Sequence, residues 1–211
     1  MITIIPGISE EDFPKRDERI ARAAPFSECI HIDVQNEALF HEGSSENFSF
    51  VKKYPSVFFE AHCVVQHPEL FVKTLFNAGI HRIVAPVECT DPREFISEAR
   101  VFEAEIGLSM DVETPLEEME PFLEELDFVH VMTAGALGMD QPFEERALAN
   151  IKRIRRNLPD LPIVAEGGID QESIKLVVES GATRIISTSF IFHEHDDVGS
   201  RIQELQNTIA V

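Results

Sequence analysis

The chain has 211 residues, 44% of them hydrophobic, and its 38 Asp and Glu against 18 Lys and Arg give a formal net charge of −20. This length and apolar fraction predict one globular domain over residues 1–211, and the negative charge argues against nucleic acid or an anionic membrane as a partner. The apolar runs are too short to span a bilayer, the N-terminus lacks a signal-peptide pattern, and three cysteines are too few for a disulfide framework. A cytoplasmic location is therefore predicted.

Short β-branched segments alternate with longer amphipathic segments along the whole chain. Pro14 and Pro92 fall at the starts of two longer segments, where a helix tolerates proline, and Gly79 and Gly181 follow the ends of two others. About eight such pairs predict an α/β fold of the (βα)8 TIM barrel type. An open doubly wound sheet is the alternative, but no G-x-G-x-x-G follows the first strand. The predicted strands are 2–5, 29–34, 57–65, 81–87, 105–110, 128–132, 161–166 and 183–188, and the predicted helices are 11–24, 46–53, 68–78, 92–103, 115–125, 143–157, 171–180 and 198–208.

Polar side chains that can bind a metal stand near the ends of three predicted strands. His31 and Asp33 are two residues apart on the second strand, so their side chains leave the same face. His62 lies late in the third strand and Glu166 ends the seventh. Barrel enzymes carry their sites where strands end, and two imidazoles with two carboxylates suit Zn, Fe, Mn or Co. The four residues therefore predict a divalent metal site, the alternative being that the histidines are hydrogen-bonded core residues.

Other polar features have plainer interpretations. His130 has the strand parity of an inward-facing residue, and a hydrogen-bonded core histidine is favoured over a residue that supports a metal ligand. The sequence HEHDD at 193–197 resembles a metal-binding tract, but an acidic turn in solvent is favoured. The acidic segment 113–127 predicts an amphipathic helix with a solvated face.

Segments along nearly the whole chain resemble, in order, the motifs of the ribulose-phosphate 3-epimerase family. The resemblance implies a (βα)8 barrel of the ribulose-phosphate-binding type, with one divalent metal held by two His and two Asp. The matching segments are IIPGISEEDF with I-x-P-S-I-L-S-A-D-F, HIDV with H-x-D-V, EAHCVVQHP with D-x-H-L-M-V-x-x-P, IGLSMDVETP with G-v-a-l-N-P-x-T-P, LDFVHVMT with L-D-x-V-L-v-M-S, and VAEGGI with V-D-G-G-I.

The resemblance also implies roles for individual residues. His31, Asp33 and His62 match three metal ligands, and Glu166 stands where the fourth, an Asp, is expected. Asp33 and Glu166 are then the catalytic acid and base, which remove a proton beside a ketone on one face of a sugar and return it on the other. The metal neutralises the negative charge that develops on oxygen. The residues expected to bind substrate are Met132, Gly167, Gly168, Thr188 and Ser189.

The chain departs from the motifs at several positions around this site. Its glycine-rich loop after the sixth strand reads GALGMDQ (135–141) instead of N-P-G-F-G-G-Q, and Asp140 places a negative charge where an anion is expected to bind. The other departures are Gly7 for Ser, Gln35, Asn36 and Glu37 for M-D-G, Val64 for Met, Pro86 for His, Asp111 for Asn, and Thr188 for Gly.

The sequence therefore predicts a metal-dependent epimerase or isomerase that acts on a keto-sugar or sugar phosphate, with a substrate other than ribulose 5-phosphate. The alternative is a catalytically silent barrel with a binding or structural role. The oligomeric state is left open, a homo-oligomer included.

Overall fold

In the computed structural model, eight parallel strands close into a barrel in sequence order, which confirms the predicted (βα)8 fold. The structure describes residues 2–10, 12–35, 48–89, 91–135, 141–193 and 197–210. The strands are β1 (Thr3–Ile8), β2 (Cys29–Val34), β3 (Phe58–Cys63), β4 (Arg82–Pro86), β5 (Glu105–Met110), β6 (Phe128–Met132), β7 (Ile163–Glu166) and β8 (Arg184–Ser187). The helices are α1 (Phe13–Ala23), α2 (Phe50–Lys53), α3 (Val72–Ala78), α4 (Pro92–Val101), α5 (Leu116–Met119), α6 (Ala147–Asn157), α7 (Ser173–Ser180) and α8 (Val198–Ile209).

The helix ends follow from local side-chain chemistry. The carboxylate of Asp91 accepts hydrogen bonds from the backbone N–H groups of Arg93 and Glu94, and Pro92 opens α4. These contacts satisfy N–H groups that have no partner within the helix. Helix α3 ends at Gly79, whose φ of 97° is the left-handed conformation that glycine adopts readily. Among the described residues, no helix has the length and apolar character needed to cross a bilayer.

The predicted helix at 115–125 is shorter in the structure. Only α5 is α-helical there, and the 3₁₀ helix Glu120–Glu125 continues it. Pro121 explains the change, because it has no N–H to donate to the carbonyl four residues earlier. The predicted helix at 46–53 begins outside the described residues, and α2 is its described part.

Two apolar regions stabilise the barrel. The larger one lies between strands and helices, and the smaller one fills part of the barrel interior. Phe128 belongs to the interior and packs where Gly107 of the neighbouring strand has no side chain. A Cβ at Gly107 would lie 2.3 Å from the Phe128 ring. The other members of this smaller apolar region are Ile5, Cys29, Val84, Val164 and Ile186.

Candidate metal centre and active site

Four side chains meet at the carboxyl ends of the strands. His31 and Asp33 come from β2, His62 from β3 and Glu166 from the last position of β7. One ligand atom from each lies within 4.8 Å of the other three. The register of β2 and β3 pairs Asp33 with His62, which brings those two side chains together. The predicted convergence of these four residues at one face of the barrel is thus present in the structure.

The hydrogen bonds of His31 determine which of its nitrogens faces the cluster. Nδ1 lies 2.8 Å from Oε1 of Glu60 and donates its proton to that carboxylate. Nε2 is thereby turned toward the cluster, with Asp33 Oδ1 at 3.4 Å and Glu166 Oε2 at 3.5 Å. A ring nitrogen that faces two carboxylates needs positive charge beside it, either its own proton or a bound cation. This side of the cluster therefore fits a cation.

His62 is held in a similar way. Its Nε2 lies 2.8 Å from the Ser109 hydroxyl oxygen. Its Nδ1 is buried without a hydrogen-bond partner among the described residues and lies 3.3 Å from Asp33 Oδ1. Histidines that bind metals are commonly fixed through their second nitrogen in this manner. The residues present therefore fit a divalent metal, and Asp33 with Glu166 would supply its oxygen ligands.

The electrostatics agree with this arrangement. Burial raises the pKa of Asp33, but the imidazoles of His31 and His62 outweigh burial and hold it well below the usual range. Burial lowers the pKa of His31, yet the charge of Glu166 and hydrogen bonds to carboxylates bring it above the ordinary value. The Asp33 carboxylate thus remains charged and draws positive charge into the cluster, from a proton or from a metal.

A chain of ion pairs runs below the cluster. Glu60 Oε2 lies 2.9 Å from Arg82 Nη1, Arg82 Nε lies 2.8 Å from Glu105 Oε2, and Arg184 Nη1 lies 2.9 Å from Glu105 Oε1. Burial raises the pKa of Glu60, but His31 and Arg82 lower it to about 2. The two arginines open their strands and stay at the far end of the barrel from its mouth, as their sequence positions predict.

His130 lies beside the cluster on β6 and is fully buried. Its Nε2 is 2.9 Å from Glu166 Oε2, and its ring centroid is 5.0 Å from that of His62. Neither of its nitrogens makes a hydrogen bond of good geometry within the described part of the chain, and its polar contact is the approach to Glu166, so the interpretation as a hydrogen-bonded core histidine stays a prediction. Burial lowers the pKa of His130, and Glu166 opposes that change without reversing it.

Sequence reasoning missed two residues that orient the histidines, Glu60 and Ser109. Glu60 stands two residues before His62 on β3, so strand parity places both inside the barrel. The same parity on β5 places Ser109 inside, and the register of β5 with β6 sets it beside His130. Strand parity was therefore a usable signal for both residues.

A cavity of about 360 Å³ opens beside the cluster, and Asp33 and Glu166 both line it. Its wall on the β6–β8 side is glycine-rich. Gly168 has a φ of 63°, and a Cβ there would lie 2.4 Å from the Phe143 backbone nitrogen, so no other residue fits without a shift. The residues predicted to bind substrate, Met132, Gly167, Gly168, Thr188 and Ser189, all line this cavity.

A second cavity of about 360 Å³ lies on the β3–β5 side of the cluster. Met132 lines both cavities, whereas His62 lines only the second. Val64 and Pro86 line it, at positions where the resembled motifs carry the larger Met and His. The smaller side chains leave room on this side of the site.

Some predicted features fall outside the described residues. Asn36, Glu37 and Asp140 are among them, so their predicted effects on the site remain predictions. The tract 193–197 is described only at its two ends, and His193 lines the first cavity.

A closed parallel barrel with a histidine and carboxylate cluster at its mouth defines a TIM-barrel protein of the class that carries its site at the C-terminal face. The model of the Ribulose-phosphate 3 epimerase family matches residues 3–192. The chain belongs to the ribulose-phosphate 3-epimerase family. The resemblance seen in the motifs is confirmed, and so is the prediction of an enzyme of the carbohydrate epimerase type.

Individual relatives are distant but match over most of their length. The ribulose-phosphate 3-epimerase of Schizosaccharomyces pombe is 27% identical over 198 residues, which cover 90% of this chain and 86% of the relative. That of Bacillus subtilis is 24% identical over 205 residues, covering 93% and 94%. Among solved structures, 3-hexulose-6-phosphate synthase from Salmonella typhimurium superposes with a TM-score of 0.77 at 16% identity, covering 98% of each chain. The structural likeness supports the fold.

Proposed function

We propose that the protein is a metal-dependent epimerase that moves a proton on the carbon beside the keto group of a sugar. Family membership supports an epimerase on sugar phosphates. The observation that carries the metal-dependent part is the cluster of His31, Asp33, His62 and Glu166, whose ligand atoms lie within 4.8 Å of one another. The two imidazoles would each offer one nitrogen to the ion, since Glu60 and Ser109 occupy the other nitrogens.

Asp33 and Glu166 are the proposed acid and base. They come from β2 and β7, on different sides of the barrel mouth, and both line the cavity that would hold the sugar. One group, as a carboxylate, accepts the proton from carbon, and the other, as a protonated carboxylic acid, donates its proton to the opposite face of the same carbon. A bound divalent metal supplies Lewis acidity for the negative charge that develops on the substrate oxygen. Met132 and Ile186 give the cavity an apolar wall that helps to exclude water.

The phosphate end of a substrate fits the glycine-rich side of the first cavity. Barrels of this class commonly bind phosphate at the loops after β7 and β8, where backbone N–H groups are accessible. Gly167, Gly168 and Ser189 are the residues proposed to offer such groups. The second cavity supports a substrate other than ribulose 5-phosphate, because Val64 and Pro86 leave space at the other end of the site. A cytoplasmic location and a homo-oligomeric state remain predictions.

Metal analysis tests the proposed centre. Purified protein is stripped with a chelator, reloaded with Zn²⁺, Mn²⁺, Fe²⁺ or Co²⁺, and its bound metal is measured. We expect one equivalent in the wild type and none when His31 and His62 are both replaced by alanine. The matched control replaces His67 and His81, which lie outside the cluster, and should keep one equivalent. Equal binding by both double variants would place the ligands elsewhere.

Solvent deuterium tests the proton transfer. The metal-loaded protein is incubated in deuterated water with keto-sugars and their phosphates, and deuterium at carbon is followed by NMR. Incorporation into one substrate supports the proposal even when no net epimerisation is seen. If metal-loaded protein labels none of a panel that includes pentuloses and hexuloses, the catalytically silent alternative is favoured instead.

A further inference from the structure

We propose that His130 is a positioning residue for Glu166. Its imidazole contacts the glutamate carboxylate and fixes the orientation in which that carboxylate meets the metal and the substrate. This inference rests on the proposed function, because it assigns a support to one of the proposed ligands. The contact that carries it is the 2.9 Å approach of His130 Nε2 to Glu166 Oε2. Both atoms are buried without a hydrogen bond of good geometry among the described residues, and their approach is shorter than the 3.5 Å between Glu166 Oε2 and His31 Nε2.

The pairing of β6 with β7 brings the side chains of His130 and Glu166 together. In the register of β6 with β7, Met132 lies beside Glu166 and His130 lies beside Val164, one inward-facing position lower. The imidazole therefore lies diagonally below the carboxylate, on the neighbouring strand. Its ring is further confined by those of His31, at 5.7 Å between centroids, and His62, at 5.0 Å. Because these rings restrict its rotation, the His130 side chain can direct its N–H group only toward a narrow region.

The two carboxylate oxygens of Glu166 face different neighbours. Oε2 is turned toward His130 and His31. Oε1 points the other way, toward β1, where an ideal Cβ on Gly7 would lie 3.7 Å from it. His130 thus holds one oxygen and leaves the other for the substrate side of the cavity. In uncomplexed enzymes such catalytic contacts are often poorly aligned and tighten when the ligand is present.

The pair also joins two departures from the family motifs. His130 stands where L-D-x-V-L-v-M-S has its second Leu, and Glu166 stands where V-D-G-G-I has Asp. Glutamate is one methylene longer and has one more rotatable bond than aspartate, and catalysis responds to displacements of about 1 Å. An imidazole beneath the longer side chain removes that additional freedom. A leucine in the same place offers no polar contact, which suits a carboxylate that is one methylene shorter.

A double-mutant cycle tests the pairing. Metal-free wild type, His130→Leu, Glu166→Asp and the double variant are titrated with Co²⁺ in competition with a chromophoric chelator, and the visible spectrum of each Co²⁺ complex is recorded. We expect each single change to weaken Co²⁺ binding by roughly 10–100-fold, as other residues that support metal ligands do. The double variant should lose far less than the product of the two, because it restores a combination that needs no imidazole.

A conservative change separates the polar contact from simple packing. His130→Gln keeps an N–H group near the position of Nε2, and we expect it to retain most of the affinity and the wild-type Co²⁺ spectrum. Thermal unfolding of each variant identifies any loss that follows from misfolding. If the single effects multiply, or if Gln behaves as Leu does in a folded protein, the pairing is wrong while the metal centre stands. If the wild type itself takes up no stoichiometric Co²⁺, the proposed function and the pairing both fail.

Discussion

At the scale of single residues, each candidate ligand depends on a neighbour that decides which atom it presents. Glu60 is the clearest case, because its contact with Nδ1 of His31 leaves Nε2 as the ring nitrogen that faces Asp33 and Glu166. Arg82 in turn keeps the Glu60 carboxylate charged within the barrel. The orientation of the proposed ligands therefore depends on residues that contact them but do not bind the metal.

Glu60→Gln tests this dependence. Glutamine has the same shape but can present its NH₂ group to Nδ1, which would move the imidazole proton to Nε2 and remove the lone pair from the cluster. We expect Co²⁺ affinity to fall by roughly 10–100-fold, measured by competition titration. The control is Glu105→Gln, which alters the far end of the same ion-pair chain and should leave the affinity nearly unchanged. An unchanged affinity in Glu60→Gln would show that the tautomer of His31 is fixed by something else.

Asp33→Asn tests the proposed proton transfer. The amide cannot accept a proton from carbon, so the rate of deuterium incorporation should fall by ~10²–10⁴-fold, the usual contribution of a general base. Metal content is measured in the same sample, because Asp33 is also a proposed ligand, and the comparison is made at saturating metal. Near wild-type exchange in this variant would rule out Asp33 as acid or base.

At the scale of elements, the strands supply the site through parity and register. Sequence patterns predicted all eight strands, since β-branched runs mark buried parallel strands well. They also placed His31, Asp33, His62 and Glu166 at one face. They could not supply the register between strands that sets Glu60 beside His31. Spacing along one strand shows which way a residue faces, but not which residue of the next strand it meets.

The helix predicted at 115–125 shows a second limit. Its amphipathic pattern continues through the whole segment and predicts one α-helix. Pro121 interrupts the backbone hydrogen bonds that such a helix needs. His130 shows a third limit. Its inward direction could be read from parity, whereas its missing hydrogen bonds depend on which side chains surround it.

Gly107→Ala tests the fit between two neighbouring strands. The added Cβ would overlap the Phe128 ring, so the free energy of unfolding should fall by ~1–3 kcal/mol, as is usual for overpacked cores. Urea unfolding measures the change. In the background of Phe128→Leu, where the ring is gone, the same alanine should cost clearly less. An equal cost in both backgrounds would mean that the glycine is needed for its backbone and not for the space it leaves.

At the scale of the whole molecule, the negative net charge of the chain disfavours binding of the sugar phosphates that the family implies. A chain of net charge −20 repels an anionic phosphate at long range, so binding must come from local contacts. The glycines at 167 and 168 remain for that purpose in the first cavity. The residues after β8 are Thr188 and Ser189 in place of a Gly-Ser pair, so one close backbone approach is lost there. We therefore expect these two independent features to weaken phosphate binding.

The last prediction is therefore that ribulose 5-phosphate is a poor substrate. The residues proposed for proton transfer are retained in type, whereas each lost charge-assisted hydrogen bond to phosphate removes roughly 1.5–3 kcal/mol of binding. A coupled assay compares ribulose 5-phosphate with a panel of ketoses and larger ketose phosphates at two ionic strengths. We expect kcat/KM for ribulose 5-phosphate to stay below ~10⁴ M⁻¹s⁻¹, the lower end of the ordinary enzyme range. Added salt should raise it relative to an uncharged ketose, because salt screens the repulsion. A higher efficiency that salt lowers would mean that local positive charge outweighs the field of the acidic chain, and that ribulose 5-phosphate is the substrate after all.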